Sequence, residues 1–416
     1  MRTPFARPAS GSILILSLVF TSGIALAGPL TPPAGPVAPT GKTLNEVEPR
    51  TAISAANTPG DANTHYIITK SGSYYLTENL SGGAGKQTVI AIKASDVSID
   101  LNGFTVFGSG SEFVIEAHSL RDITITHGII DSSNTAGIAM NSVSGVRLSG
   151  ISAFNCSETG FGVGSGAVIE HCTIQSSGSQ AFLAGPGAVI RDCTATGAGD
   201  AAFSLTDGVV ENCVATGAGV GFEGAKNSSF TGCSAINCVR GFAATSNGRF
   251  EGCTVSTSSA EGIDSGVRGL VENCTVDGAG SDGIVAGDGS TVRGCNVSAS
   301  AVHGISASNR CVIVSNNCSG NGAANPNIIG AGVYVSGSRT RVEDNTLTQN
   351  DWGVRVTGTG NIVIRNKASG SNGTNFNAVS GNSFGVIVAA TVSPAISSNS
   401  SGGGLGTTDP NANLSY

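Results

Sequence analysis

Apolar and polar residues alternate in short runs along most of the chain, as in Gly160-Phe161-Gly162-Val163 and Leu270-Val271-Glu272. Side chains of a β-strand point alternately to its two faces, so this period of two indicates strands with one buried face. Single Gly, Asn, Asp or His residues follow many of the runs, for example His171, Asp192 and Asn212. These residue types tolerate the positive φ that a sharp corner requires. The pattern predicts an all-β chain of short strands joined by tight corners.

The strands recur with a fixed period. Seven cysteines define it, with steps of 21, 20, 20, 20, 21 and 21 residues: Cys172, Cys193, Cys213, Cys233, Cys253, Cys274 and Cys295. In later turns the cysteine position is assigned to Asn317 and Asn345. In earlier turns it is assigned to Ile151, Ile129 and Phe104. Each unit holds three strands and is too short for a helical hairpin repeat. The period predicts a single parallel coil of roughly 12 to 13 turns, which spans roughly 60 Å at ~4.8 Å per turn.

Composition narrows the function classes. Charged residues make up 12% of the chain, about half of the roughly 25% in an average soluble domain, and 61 of the 416 residues are Gly. This mixture excludes a disordered chain and a helical bundle. The formal net charge is −7, and no segment carries a basic stripe, so nucleic acid is not an expected partner.

The first residues have the features of an export signal. Arg2 and Arg7 precede an apolar run from Ile13 to Phe20, and Ala25-Leu26-Ala27 supplies a small-residue cleavage pattern. We expect a signal peptide over 1–27, a Pro-rich linker over 28–44, an N-terminal cap over 45–85, a β-helix over 86–370 and a C-terminal cap and tail over 371–416. The protein is expected to be secreted or held at the cell surface as a monomer, with no transmembrane segment in the mature chain.

The segment Val97–Phe104 reads Val-Ser-Ile-Asp-Leu-Asn-Gly-Phe and resembles an opening turn of right-handed parallel β-helix proteins. The Cys and Asn column resembles their asparagine ladder. This superfold is that of the pectate lyases and polygalacturonases, and the resemblance covers about residues 60 to 400. It implies a right-handed coil, as crossover chirality also favours. The Asn-Thr-Asp and Asp-Asp motifs of polygalacturonases are absent, and Thr126-His127-Gly128 lies far from Arg365-Asn366-Lys367, so that activity is not implied.

The cysteines leave three interpretations open. In-register neighbours hold their Cβ atoms about 4.8 Å apart, whereas a disulfide requires about 3.8 Å. A stack of small apolar side chains in a narrow corner agrees with this spacing. Disulfides between alternate pairs are the second interpretation, and a metal site is the third, although no Cys-x-x-Cys pair exists.

One column differs from the rest of the surface. Arg240, Glu261, Asp282 and His303 precede the first strand of four successive turns, at steps of 21 residues, and are the candidate catalytic residues. Stacked carboxylates repel, so such a pair tends to hold a proton or to bind Ca²⁺. No cofactor is required, and Ca²⁺ is a candidate ligand without an assigned site. Candidate substrate-binding residues lie on the same edge: Glu223, Asp264, Tyr334, Trp352 and Arg355. The alternative is a solvated ladder of opposite charges.

Two functions remain from different classes. The first is a non-catalytic structural, adhesive or glycan-binding solenoid, with a polysaccharide or cell-surface glycan as partner. The alternative is a polysaccharide lyase or hydrolase that uses a lateral groove around Arg240 to Arg355. In the resembling family the groove lies on this strand and the loop before it, which agrees with the position of the column. Fold and composition do not separate the two functions.

Overall fold

The computed structural model describes residues 49–83, 85–322, 330–389 and 408–416. The predicted signal peptide, the Pro-rich linker and the start of the predicted cap lie outside the described residues, as does 390–407 of the predicted tail. Residues Arg50–Tyr416 form one compact unit. Every regular element of the described residues is a β-strand, and none of their segments is a helix that could cross a membrane.

The strands wrap around three faces of a parallel coil. The first face holds 15 strands in sequence order. They are Thr64–Ile68, Thr88–Ile92, Phe113–Ala117, Ala136–Met140, Thr159–Val163, Phe182–Ala184, Ala201–Leu205, Val220–Lys226, Arg240–Ser246, Ile263–Asp264, Ile284–Ala286, Ile305–Ala307, Ala331–Val335, Trp352–Val356 and Phe376–Ala378.

The second face begins at the N-terminal end of the described chain. Two of its strands, Ile123–Ser133 and Arg147–Cys156, are long and continue around the corner into the third face. The others are Thr51–Ala52, Gly72–Tyr75, Val97–Asp100, Val168–Glu170, Val189–Arg191, Val209–Glu211, Ser229–Thr231, Arg249–Glu251, Leu270–Glu272, Thr291–Arg293, Val312–Val314, Arg341–Glu343, Ile362–Ile364 and Ser383–Phe384.

The third face completes each turn, and its last two strands are out of sequence order. Besides the second halves of the two long strands it holds, in spatial order, Leu80–Ser81, Thr105–Phe107, Thr173–Ser177, Thr194–Ala198, Val214–Thr216, Ser234–Ile236, Thr254–Ser258, Thr275–Ala279, Asn296–Ser298, Asn317–Ser319, Thr346–Thr348, Lys367–Ser369, Asn413–Ser415 and Ile387–Ala389.

The all-β parallel solenoid predicted from the period is confirmed. It has about 16 turns rather than 12 to 13, because the segments assigned to the two caps also pair as turns of the coil. The one-residue corners take positive φ as expected, including His171 at 53°, Asp192 at 52° and Asn273 at 54°.

The core is a set of stacked columns, each built from one inward residue per turn. Five phenylalanines lie in register on the first face: Phe161, Phe182, Phe203, Phe222 and Phe242. The rings of Phe182 and Phe203 stack with centroids 4.8 Å apart, close to the spacing between strands. Ile138 and Ile263 continue the column on either side. This column extends the apolar core by one ring per turn.

The cysteine column is a packed stack of free thiols. All eleven cysteines are buried and unpaired. The Cys253 thiol donates to the Phe230 carbonyl of an earlier turn at 3.3 Å, and the other ladder thiols make similar contacts. Hydrogen bonding to the neighbouring thiol, together with burial, raises the pKa of Cys253 and of Cys274 to about 12. Both thiols are therefore protonated at neutral pH.

The column changes from Cys to Asn, and the position of the first Asn corrects the sequence alignment. Asn316, not Asn317, follows Cys295, because its side chain is only 2% exposed and accepts the Cys295 N–H. Asn317 lies on the exposed side of the strand that it begins. The assignment of Ile129 is also one residue off, since Gly128 pairs with Ile151.

Candidate functional site

The four candidate catalytic residues lie in one line at the edge of the first face. Each stands at the start of its turn, and the backbone bonds connect successive members: Gly241 N–H donates to the Glu261 carbonyl, Gly262 N–H to Asp282, and Gly283 N–H to His303. The strands that follow pair in register, with Phe242 opposite Ile263 and Ile263 opposite Ile284. The turn alignment that placed Arg240, Glu261, Asp282 and His303 together therefore agrees with the structure.

Arg240 and Glu261 form an ion pair across one turn. Nε of Arg240 donates to Oε2 of Glu261 at 3.0 Å, and the two side chains are 37% and 27% exposed. Burial acts to raise the pKa of Glu261, but its own backbone N–H and the Arg240 guanidinium outweigh burial and place that pKa below its usual range. Glu261 is accordingly ionised at neutral pH.

Asp282 has the opposite electrostatic environment. Its Oδ1 accepts the His303 N–H at 3.0 Å. Burial is the largest effect and raises the pKa of Asp282, the charge of Glu261 acts in the same direction, and hydrogen bonds from His303 N–H and the Ser306 hydroxyl act against it. The line therefore holds two neighbouring carboxyl groups, one with a raised pKa (Asp282) and one with a lowered pKa (Glu261).

His303 is the most buried member of the line, with 8% of its surface exposed. Its Nδ1 accepts the Ala331 N–H at 3.0 Å. Burial, followed by the charge of Arg355, lowers the pKa of His303 to about 4. The neutral ring that accepts at Nδ1 carries its proton on Nε2. At neutral pH His303 is therefore an uncharged hydrogen-bond donor.

Aromatic rings continue the site toward the C-terminal turns. The Tyr334 ring stacks on His303 with centroids 4.3 Å apart and planes 23° from parallel. The Arg355 guanidinium lies 5.7 Å from the Tyr334 centroid and 5.4 Å from that of Trp352, within the range of cation–π contacts. We call Tyr334, Trp352 and Arg355 the aromatic platform. Its members are half-buried, so part of each remains accessible.

Glu223 and Asp264 lie at the other end of the line. They border an open concavity of about 360 Å³ with Arg240, Ser204 and Thr245. The Ser204 hydroxyl donates to Oε2 of Glu223 at 3.1 Å, and Gly266 N–H donates to Oδ1 of Asp264 at 3.1 Å. The predicted substrate-binding residues thus fall into two groups on one edge, the concavity beside Arg240 and the platform beside His303.

Two contacts of the site were not evident in the sequence. The Ser306 hydroxyl donates to Asp282, a hydrogen bond that depends on the side-chain conformation. Thr357 contacts the Tyr334 hydroxyl at 3.1 Å. Within the described ranges, no three or more His, Cys, Asp or Glu side chains are grouped so that they could hold a metal ion, so Ca²⁺ stays a prediction without a built site.

The remaining histidines contact local partners outside this line. His65 accepts the Gly83 N–H at 3.0 Å, and His118 lies 3.3 Å from Glu116. His127, part of the partial polygalacturonase motif, lies 3.5 Å from Asp100 on an early turn.

Comparisons with known proteins concern the fold. The structure is similar to the A-module of mannuronan C-5 epimerase AlgE6 from Azotobacter vinelandii, with 17% identity, a TM-score of 0.42, and coverage of 75% of this chain and 90% of that one. It is also similar to bacteriophage CBA120 tailspike protein 3, with 9% identity, a TM-score of 0.42, and coverage of 84% and 65%. A mannuronic acid specific family 6 polysaccharide lyase from human gut microbiota matches at 11% identity and a TM-score of 0.37, with coverage of 77% and 86%.

At these identities and TM-scores the similarities carry no argument about activity. No curated protein sequence matches the chain. The family model described as "Right handed beta helix region" matches residues 67–209, 114–255, 187–319 and 218–369, which together span most of the coil. The chain belongs to the right-handed β-helix family.

Proposed function

We propose that the protein is an exported, non-catalytic solenoid that binds a polysaccharide along the edge from Arg240 to Arg355. The observation that carries the proposal is the stack of His303 on Tyr334 beside Arg355 and Trp352. Aromatic faces bordered by a few oriented polar groups are typical of ligand sites. Neutral His303 adds a hydrogen-bond donor at the base of this surface.

The proposed ligand is a neutral polysaccharide. The formal net charge of −7 repels a polyanion at long range, and Arg240 is engaged with Glu261. An anionic polymer would need Ca²⁺ to bridge it to the carboxylates. The line from Arg240 to Arg355 crosses several turns of the coil, so it favours an extended chain over a single sugar.

The binding test compares polysaccharides on the mature protein by affinity electrophoresis and calorimetry. Neutral polymers should bind without Ca²⁺, and Tyr334→Ala combined with Trp352→Ala should weaken binding roughly tenfold or more, equivalent to about 1.4 kcal/mol. Tyr75→Ala is the matched control, because Tyr75 also lies under an arginine, Arg50, but on the second face. Equal loss in both variants would contradict the assigned surface, as would no binding to any polymer.

A second candidate is catalysis as a polysaccharide lyase or hydrolase. It is favoured by one specific observation, the opposite pKa directions of Glu261 and Asp282. Pairs of this kind divide the roles of acid and base, because the group with the raised pKa, Asp282, holds its proton to higher pH than Glu261. Release of reducing ends or unsaturated uronates that is lost in Glu261→Gln and in Asp282→Asn would support it. If both variants still bind the polysaccharide and no product is released, the result would support the non-catalytic function.

Export to the cell surface or medium and a monomeric state are part of the proposal. The localisation rests on the predicted signal peptide at 1–27, which leaves Gly28 as the mature N-terminus. N-terminal sequencing of the exported protein checks the cleavage position, and light scattering checks the mass in solution.

A further inference from the structure

Near its end the third face contains a strand that is out of sequence order. On the second face Ser383–Phe384 pairs directly with Ile362–Ile364, so a regular coil would next place Ile387–Ala389 on Lys367–Ser369. Instead, Asn413–Ser415 lies between these two strands and pairs in parallel with both. The C-terminal residues therefore fill a gap between consecutive turns.

Backbone hydrogen bonds hold this strand on both sides. Toward the earlier turn, Leu414 N–H donates to the Asn366 carbonyl at 2.8 Å and Tyr416 N–H donates to the Ala368 carbonyl at 3.1 Å. Toward the later turn, Asn413 N–H donates to the Val386 carbonyl at 2.8 Å. Such main-chain bonding is the mode by which sheets accept an added strand.

Asn413 is the most buried side chain of the strand, and Ser415 adds a second contact by accepting from Nδ2 of Asn375 at 2.9 Å. Asn413 is fully buried, and its Oδ1 accepts from the backbone N–H and from Nδ2 of Asn366 at 3.0 and 3.2 Å. Its Nδ2 donates to the Val363 carbonyl at 3.0 Å and to the Gly385 carbonyl at 3.1 Å. An apolar or shorter residue in this position would leave several buried polar groups without a partner.

The entrance to the gap depends on a glycine. A Cβ on Gly385 would lie 1.9 Å from the Asn411 carbonyl oxygen, a backbone atom that cannot move aside while the strand is in place. The same carbonyl accepts the Arg365 N–H at 3.2 Å. Gly385 thus admits the segment that precedes the inserted strand.

We propose that the gap between Lys367–Ser369 and Ile387–Ala389 is a strand-acceptor site, which binds an extended peptide with an inward Asn followed by an outward apolar residue and an inward Ser. The chain's own residues 409–416 occupy it as a separable ligand. The strand Ile387–Ala389 is then held by this peptide rather than directly by Lys367–Ser369 of the preceding turn. This site is independent of the proposed glycan surface, which lies on the first face.

The test uses the full chain, cleaved only after it has folded. A specific protease site introduced at the exposed Thr408 allows cleavage in the native state. The peptide Asp409–Tyr416 should stay bound after cleavage, as detected by native mass spectrometry. A labelled synthetic peptide of the same sequence should replace it, and a peptide with Ala at the position of Asn413 should compete at least tenfold less well.

Gly385→Ala is the matched control, because its Cβ blocks the entrance and should keep both the chain's own segment and the synthetic peptide out of the gap. Immediate loss of the peptide without rebinding would overturn the proposal. So would equal competition by the Ala peptide, or loss of the β-sheet circular dichroism on cleavage, since the last would make the strand an integral part of the fold.

Discussion

Oδ1 of Asn316 accepts the backbone N–H of Cys295 at 3.0 Å, at the turn where the cysteine stack ends. In the cysteine turns the corresponding acceptor is sulfur, as where Cys172 N–H faces Cys193 Sγ at 3.4 Å. Oxygen is the stronger acceptor, and the amide also donates, so each Asn bonds to both the preceding and the following turn. The series continues through Asn345 and Asn366 to Asn413. A single buried column thus changes from packed thiols to a connected polar ladder.

Replacing Asn316 should destabilise the fold far more than replacing its neighbour Asn317. Asn316→Ala leaves the buried Cys295 N–H and the Val292 carbonyl without their side-chain partner, which should cost about 2–4 kcal/mol. Asn317→Ala removes an exposed side chain and should change stability by less than about 0.5 kcal/mol. Urea unfolding of both variants measures the difference. Similar losses would mean that the ladder is out of register.

The thiols should be inaccessible in the native protein and free after unfolding. Burial protects all eleven, and a pKa of about 12 for Cys253 and Cys274 keeps those two protonated at neutral pH. A thiol reagent should titrate none quickly before denaturation. In denaturant without reductant it should titrate all eleven. A lower count after unfolding would show that some of the column is bridged.

Acidification should weaken the fold through His303. Burial and Arg355 lower its pKa to about 4, whereas an unfolded histidine titrates near 6.5. Between these values the unfolded chain binds more protons, so the contribution is fully present above about pH 6.5 and declines as the pH falls toward 4. The full loss is about 3 kcal/mol. The difference in Tm between pH 7 and pH 4.5 should therefore shrink in His303→Gln, and an unchanged difference would contradict the buried, neutral state.

Asp282→Asn and Glu261→Gln should have opposite effects on stability at neutral pH. The pKa of Asp282 is raised, so its contribution falls as the pH rises above the unfolded value near 3.8, and Asn removes this penalty. The pKa of Glu261 is lowered, so its contribution is present above its unfolded value near 4.5, and Gln removes a benefit. At pH 7 the Tm should rise in Asp282→Asn and fall in Glu261→Gln. Shifts of the same sign would show that the two carboxyl groups do not differ as described.

The sequence was sufficient for the coil and for the line of candidate residues, because both follow from the period. The step of 21 residues from Cys295 leads to Asn316, but adjacent asparagines allowed the wrong choice of Asn317. The burial of His303 and its stack on Tyr334 depend on side-chain conformations and on a step of 28 residues to Ala331, which no regular repeat specifies. Asn413 was not predictable as a member of the ladder, since its strand pairs out of sequence order.

The phenylalanine column has a consequence for how the turns find their partners. Successive turns have similar backbones, so a register that skips one whole turn would still pair the flanking strands with every side chain on its correct face. The column, however, begins after Ile138 and ends before Ile263. A slip that skips the turn of Phe161 or of Phe242 would place the next ring of the column against isoleucine and lose one ring–ring contact, worth about 0.5–1.5 kcal/mol. The phenylalanines thereby give the registers different energies. A uniform repeat would have several registers of equal energy, whereas this column favours one.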